Sequence, residues 1–312
     1  MTPSKGRDNL IMGVAIGYDA RQLAPFVNSL KATGYRGDLV LIVSRANIDA
    51  ATIKTLESQG VILESFETWR MMPVCIHFAR YLKYLEYLIE NPYRRIFLTD
   101  TRDVIFQADP FAGVADESLF VFAEDQSVAI GNCADNAKWV REAFGLHKLC
   151  EIRDRRISCS GTTMGSHSGI MRYLSTMIEA ATRAKPESLR IDGIDQGLHN
   201  AIIHDGALKD FRLLENQHHV ATLGRERYHQ LLIERVEGQC DGRTVVASHH
   251  DNPGLGGQPT VDDTVEQEAV LGVVERPKTD RIPYRYRSST HGENVAQDAS
   301  DAGRGALDWF DK

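Results

Sequence analysis

The sequence predicts an α/β protein built on a mostly parallel central sheet flanked by helices. Three observations predict it. Short apolar runs, such as LVLIV at residues 39–43, alternate with stretches whose apolar residues recur every three or four positions. The short runs are apolar at consecutive positions, as in strands covered on both faces. The two kinds follow one another in β-α-β order through the N-terminal half, the pattern of a parallel sheet with crossover helices.

Residues 10–17 (LIMGVAIG) are a compact apolar run ending in glycine, which predicts a buried strand. Residues 21–33 follow as a helix, with Leu23, Phe26, Val27 and Leu30 at helical spacing and Gly34 as its stop. Residues 39–43 are the second strand. Residues 48–59 are the second helix, closed by Gly60, and residues 61–66 a weaker third strand. Residues 74–89 carry the clearest helical signal. Phe78, Leu82, Leu85 and Ile89 form one apolar stripe, with His77, Arg80, Tyr84 and Tyr87 on a neighbouring face, and Asn91-Pro92 ends the helix. Strands over 96–99 and 119–123 follow. Further on, the spacing predicts helices over 136–144, 169–184 and 195–204 and a short strand over 244–247. From about residue 258 the apolar periodicity fades and the composition turns rich in Gly, Ala, Asp and Ser. This divides the chain into a domain over 1–257 and an irregular C-terminal tail over 258–312, with one short helix near 264–274.

Composition narrows the function. Lys+Arg 36 against Asp+Glu 43 gives a net charge of −7, which argues against nucleic acid as a partner. A chain of 312 residues with 42% hydrophobic content can bury a large core without disulfides or structural metal. No apolar run approaches the about 18 residues of a transmembrane helix, and residues 10–16 are too short and too broken for a leader. The five cysteines are scattered without a C-x-x-C, which predicts reduced thiols and a cytoplasmic setting.

Ligands of open α/β sheets bind beyond the carboxyl ends of the strands. Tyr18, Ser44, Asp100 and Asp103 all fall there. The strongest local signal is RIFLTDTRDVIF at residues 95–106, a buried strand ending in two carboxylates. Mg²⁺ or Mn²⁺ takes oxygen ligands, usually one or two carboxylates with substrate phosphates. Two neighbouring carboxylates repel, so they need a cation or donors. A turn cap at Asp100 and an ion pair of Asp103 with Arg102 or Arg94 is the alternative. Residues i and i+3 of an extended strand do not share a face, so Asp100 and Asp103 converge only if the chain turns between them.

Residues 95–106, followed by Asp109-Pro110-Phe111, resemble the metal-binding strand of GT-A-type nucleotide-sugar glycosyltransferases. Those enzymes carry a short acidic motif, often Asp-x-Asp, where this chain has Asp-x-x-Asp. The resemblance implies a GT-A-like Rossmann-type domain, a nucleotide-diphosphate sugar as donor, a glycan or other hydroxyl acceptor, and Mn²⁺ or Mg²⁺. It makes Asp103 the direct metal ligand and gives Asp100 the donor ribose or a metal-bound water. Ala15, Gly17 and Tyr18 look like the turn that holds the nucleotide base. Arg80 matches a basic position near the donor; the alternative is a solvated helix charge. Ser160 and Gly161 look like a turn lining the sugar pocket. Asp195 and Gln196 are similar to the D-Q-x-x-x-N start of a helix, with Asp195 either the general base, a contact to sugar hydroxyls, or an N-cap favoured by the helix dipole. His249 and His250, after the short strand, resemble a late histidine that completes the metal site. Asn136 and Trp139 fall on the acceptor side. The basic and aromatic residues Arg276, Lys278, Arg281, Tyr284, Arg285, Tyr286 and Arg287 suit peripheral contact with a membrane or an anionic acceptor, or a solvated tail.

Other classes remain open on the residues alone. A nucleotidyltransferase shares the layout, but Gly17-Tyr18-Asp19 is no Gly-rich phosphate loop. A metal-dependent hydrolase would need Asp100, Asp103, His249 and His250 to converge. A non-catalytic sugar- or nucleotide-binding module fits the altered acidic spacing.

Overall fold

The computed structural model describes residues 7–114, 119–222 and 247–248. Along the described residues run β1 (Arg7–Val14), α1 (Ala20–Ala32), β2 (Asp38–Val43), α2 (Ala50–Ser58), β3 (Ile62–Ser65), α3 (Ile76–Glu90) and β4 (Tyr93–Thr99). They continue with β5 (Leu119–Ala123), α4 (Ala134–Ile152), β6 (Ser158–Ser166), α5 (His167–Arg183), α6 (Ile194–His204), β7 (Phe211–Leu214), β8 (Ala221–Thr222) and β9 (Ala247–Ser248).

Seven strands form one sheet in the order β3-β2-β1-β4-β6-β5-β7. Successive side chains of a strand point to opposite faces, and the core follows that rule. Leu10 and Met12 of β1, Ile96 and Leu98 of β4, and Leu119 and Val121 of β5 enter one apolar layer with residues of α3, α5 and α6. Ile11, Phe97, Phe120 and Phe122, from the same strands, enter the other layer with residues of α1 and α2. Helices therefore cover both faces, and the sheet is mostly parallel as expected.

The uniformity of that sheet is corrected. β6 runs antiparallel to both β4 and β5. The turn expected at Ser160-Gly161 does not occur, because both residues lie inside the nine-residue strand β6. Small Ser, Gly and Thr side chains give this segment no hydrophobic period, yet they suit a central strand that is buried nearly throughout. β7 (FRLL) was not anticipated, being only four residues long and interrupted by an arginine.

The inward face of α3 is a second correction. Ile89 of the apolar stripe is exposed, while Arg80, Tyr81, Tyr84 and Tyr87 are buried. The tyrosine rings bring apolar surface to that face, and the Tyr81 hydroxyl and the Arg80 guanidinium reach polar partners beneath it. Helix α4 extends past its expected end, through a break at Gly145 (φ 87°). β4 starts three residues earlier than expected. Its arginine is accommodated because Arg95 donates Nε to Asn9 Oδ1 at 2.9 Å and Nη1 to the Phe111 carbonyl at 3.0 Å. Of the strand expected over 244–247, Ala247 lies in β9, which pairs in parallel with β8, and 244–246 lie outside the described residues. The boundary at 257/258, the tail and its short helix lie outside the described residues. No helix among the described residues is long and apolar enough to cross a membrane.

The strand order fixes where a ligand would go. From β1 the chain proceeds to β2 and β3 on one side, then returns to place β4 on the other side of β1. This reversal of strand order is the switch point at which open α/β sheets bind ligands. Residues 15–19 and 100–103 follow the two strands that flank it.

Candidate functional site at the carboxyl edge of β1 and β4

Thr101 ties the two flanking segments together, its hydroxyl donating to the Val14 carbonyl at 2.7 Å. A Cβ on Gly13 would collide with Thr101 and the Thr99 carbonyl, so glycine is what lets the ends of β1 and β4 approach. Beyond Val14, Ala15 is buried in the core and its N–H donates to the Ile42 carbonyl at 2.8 Å. Gly17 adopts a left-handed backbone (φ 81°) and is exposed; Tyr18 is half-buried against the α1 layer. Of these three, Gly17 and Tyr18 are the ones presented at the edge.

Four elements deliver the polar cluster beside this edge. Arg80 comes from α3, Asp100 from the end of β4, Ser160 and Gly161 from β6, and Asp195 and Gln196 from the start of α6. Arg80 is buried, which sets aside its reading as a solvated charge. Its Nη1 donates to Asp100 Oδ1 and its Nη2 to Asp195 Oδ2 at 2.7 Å. Burial works against its charge, but Tyr81, Asp195 and Asp100 outweigh burial and hold its pKa above the ordinary arginine value. The Nε has no hydrogen-bond partner among the described residues, and neither does the hydroxyl of Tyr84 one turn along.

Asp195 is 2% exposed. Its Oδ2 also accepts from Ser160 Oγ at 3.0 Å and from the Tyr81 hydroxyl at 3.3 Å. A general base must reach the proton it takes. In this enclosed state Asp195 holds the Arg80 guanidinium through their ion pair. The N-cap reading also fails, because Gly193 is the cap and Asp195 lies inside the first turn.

Gln196 is equally enclosed. It accepts from Ser160 N–H at 2.7 Å and donates to Glu124 Oε1 at 2.9 Å and the Ser158 carbonyl at 3.0 Å. Asn200, one turn later, accepts from Ser158 N–H at 2.9 Å and donates to the Ser158 carbonyl at 3.1 Å. The D-Q-x-x-x-N segment thus clamps β6 against α6 through its side chains. Ser160 and Gln196 therefore lie beneath the edge rather than lining it, as buried polar groups with internal partners. Gly161 is where β6 meets the edge. Its carbonyl accepts from Asp100 N–H at 2.8 Å, and a Cβ there would run into the Asp100 carboxylate.

Asp100 and Asp103 remain partly open, their side chains 24% and 20% exposed. Arg102 Nη2 lies 4.0 Å from Asp103 Oδ2, the ion pair weighed as an alternative. One guanidinium faces two carboxylates in the buried part. Asp195 has donors from three side chains, whereas Asp100 is the member that meets solvent. Asp100 and Asp103 offer partly exposed carboxylate oxygens, the ligand type that a hard divalent cation takes. His249 and His250, the expected third ligands, lie outside the described residues.

Sequence reasoning missed the hydroxyl of Tyr81 and a buried relay behind the cluster. His199 Nδ1 lies 2.8 Å from the Tyr173 hydroxyl and its Nε2 lies 3.0 Å from Ser158 Oγ. Ser158 donates its own proton to the Phe122 carbonyl, so Nε2 carries the ring proton and Nδ1 accepts from Tyr173. Burial pushes the His199 pKa down to about 3, so the ring is neutral. Asn136, expected on the acceptor side, is buried and meets Asn200 at 3.4 Å. Trp139 donates to the Asp192 carbonyl at 2.9 Å.

Fold and site together define an α/β protein with an open, mostly parallel sheet and a charged cluster at its switch point. No protein-family model matches the chain, and no curated protein matches it significantly.

Proposed function

We propose that the chain is a GT-A-like glycosyltransferase that moves a sugar from a nucleotide-diphosphate donor to a glycan or other hydroxyl acceptor, in a cytoplasmic setting. The observation that carries the reading is the convergence of Arg80, Asp100, Gly161 and Asp195 beside the β1/β4 switch point. These residues are separated by up to 115 positions and were each singled out by the resemblance. The turn at Gly17-Tyr18 borders the same edge and suits the nucleotide base.

Asp103 and Asp100 would hold Mn²⁺ or Mg²⁺, whose chemistry is to neutralise the diphosphate charge that grows as the glycosidic bond breaks. The protein's own part is positional. Arg80 is fixed by Asp195, Tyr81 and Asp100, and adds a positive charge that need not reorganise during the reaction. Gly161 keeps β6 close enough for its carbonyl to set the Asp100 backbone. Asp195 acts on the donor side through Arg80, which leaves the acceptor's base unassigned. A retaining outcome needs no such base.

The test is thermal shift of the full chain with UDP-, GDP-, CMP- and dTDP-sugars, each with and without Mn²⁺. A ligand at about 100 times its dissociation constant stabilises the native state by about 2.7 kcal/mol. A metal-dependent shift with one nucleotide class, lost in Asp103→Ala while unfolding stays cooperative, is the expected result. Release of a nucleoside diphosphate on adding acceptor would then establish transfer. Pyrophosphate release would favour a nucleotidyltransferase, and binding without turnover a non-catalytic module. No shift with any donor would overturn the proposal.

A further inference from the structure

A second group of ligating side chains lies one helical turn before Arg80. Cys75 is the N-cap of α3, His77 is its second residue, and Asp192 precedes α6. Their ligand atoms, the Cys75 sulfur, a His77 ring nitrogen and an Asp192 carboxylate oxygen, all lie within 4.8 Å of one another. This is the one such triplet of His, Cys, Asp or Glu ligands found among the described residues.

The spacing accommodates a metal as well as a hydrogen bond. His77 Nδ1 and Asp192 Oδ1 are 3.5 Å apart, at the outer limit for a hydrogen bond. Zinc bonds of about 2.1 Å to N and O, at a tetrahedral angle, put those two atoms about 3.4 Å apart. The Gly193 N–H donates to His77 Nδ1 at 3.4 Å, a long hydrogen bond that an ion bound at that nitrogen would replace.

The backbone holds the three in place without an ion. Cys75 N–H donates to the Leu189 carbonyl at 2.7 Å, fastening the start of α3 to the segment before Asp192. Gly193 has φ 80°, and a Cβ there would strike the Trp139 ring. Trp139 itself donates to the Asp192 carbonyl. Cys75 is buried, while the side chains of His77 and Asp192 are 47% and 67% exposed, so the group opens to solvent on one side.

We propose that Cys75, His77 and Asp192 bind a borderline-soft divalent cation of the zinc class, with the fourth coordination position open to solvent. Sulfur, imidazole and a single carboxylate select zinc-like ions over Mg²⁺ and Mn²⁺, which separates this site chemically from the Asp100–Asp103 edge. A bound ion would cross-link the two segments that lead into Arg80 and Asp195.

The test uses the full chain, stripped with chelator under reducing conditions and titrated with Co²⁺ and then Zn²⁺. One equivalent of Co²⁺ should give a thiolate-to-cobalt charge-transfer band that Zn²⁺ displaces. Cys75→Ser, a substitution that suits an N-cap, should abolish the band. Cys133→Ser, Cys150→Ser and Cys240→Ser should keep it. Loss of an outer-shell partner weakens metal sites by about 10–100-fold, so His77→Ala and Asp192→Asn should each cost at least that in zinc affinity. Absence of the band in the wild-type chain, or its survival in Cys75→Ser, overturns the proposal. Unchanged affinity in His77→Ala or Asp192→Asn does so too, because the three-ligand site is then lost.

Discussion

Helix α3 and the start of α6 meet twice. At His77 and Asp192 they meet in the open; three residues further along each segment, at Arg80 and Asp195, they meet in the interior. The same two backbone segments thus carry an imidazole–carboxylate pair at 3.5 Å and a guanidinium–carboxylate pair at 2.7 Å. Burial makes the difference. Inside, a charge without partners is too costly, so Asp195 has donors from Arg80, Ser160 and Tyr81. Outside, His77 and Asp192 are 47% and 67% exposed and meet each other at 3.5 Å. The buried pair is therefore fixed by its partners, while the exposed one is open to solvent.

The comparison breaks first at Arg80. Arg80→Met leaves the carboxylates of Asp100 and Asp195 facing each other without their shared cation, and breaking a buried pair in this way costs about 3–5 kcal/mol. Urea unfolding should show that loss as a lower midpoint with an unchanged slope. Adding Asp195→Asn should recover part of it. A double variant as unstable as the sum of the two singles would mean that the pair does not interact.

Gly161→Ala is the next largest. The added methyl has to displace the Asp100 carboxylate or spread β6 from β4, at about 1–3 kcal/mol for overpacking a tight site. Mn²⁺-dependent donor binding should weaken with it. Gly169→Ala, whose Cβ meets its neighbours at 3.2 Å or more, is the milder control.

The relay behind the cluster responds to acid. His199 is neutral in the native state down to about pH 3, whereas the unfolded chain protonates it below about 6.5. Between those values the unfolded state binds the extra proton, so stability falls as pH falls, by up to about 1.4 kcal/mol per pH unit from this residue. His199→Gln should flatten the slope of unfolding midpoint against pH across that window. A slope equal to wild type would place the acid sensitivity in other groups, among them His167, His204 and His219, whose pKa values burial also lowers.

How far the sequence discloses this arrangement differs between the two halves. The first four strands are legible as short apolar runs and the first three helices by their 3–4 spacing, although β1 lies three residues earlier than the expected 10–17, and β5 is legible to the residue. β6 is not, because Ser158, Ser160, Thr162 and Thr163 are buried as strand residues without being apolar. The inward face of α3 misleads for a related reason. Hydrophobicity points to Leu82, Leu85 and Ile89, whereas packing buries the tyrosines and Arg80, with Tyr81 and Arg80 both bonded to Asp195 of α6. Asp100, Arg80 and Asp195 could be nominated from local patterns. Their mutual contacts could not, since 115 residues separate Arg80 from Asp195. Cys75, His77 and Asp192 carry no motif spacing that joins them, and the fold alone unites them.

The smallest effect sharpens the contrast most. Asp192 is exposed, and its partner His77 lies at a distance where an ion pair is weak. Exposed pairs contribute about 0–1 kcal/mol, and surface substitutions usually shift stability by no more than about 0.5 kcal/mol. Asp192→Asn should therefore leave the urea midpoint of the metal-free chain within that range. The equivalent change three residues on, Asp195→Asn, removes a buried charge from Arg80 and should not. Equal losses at the two positions would mean that the Asp192-Gly193 turn is as integral to the fold as the buried pair. Its carboxylate would then be a structural group rather than one held ready for a ligand.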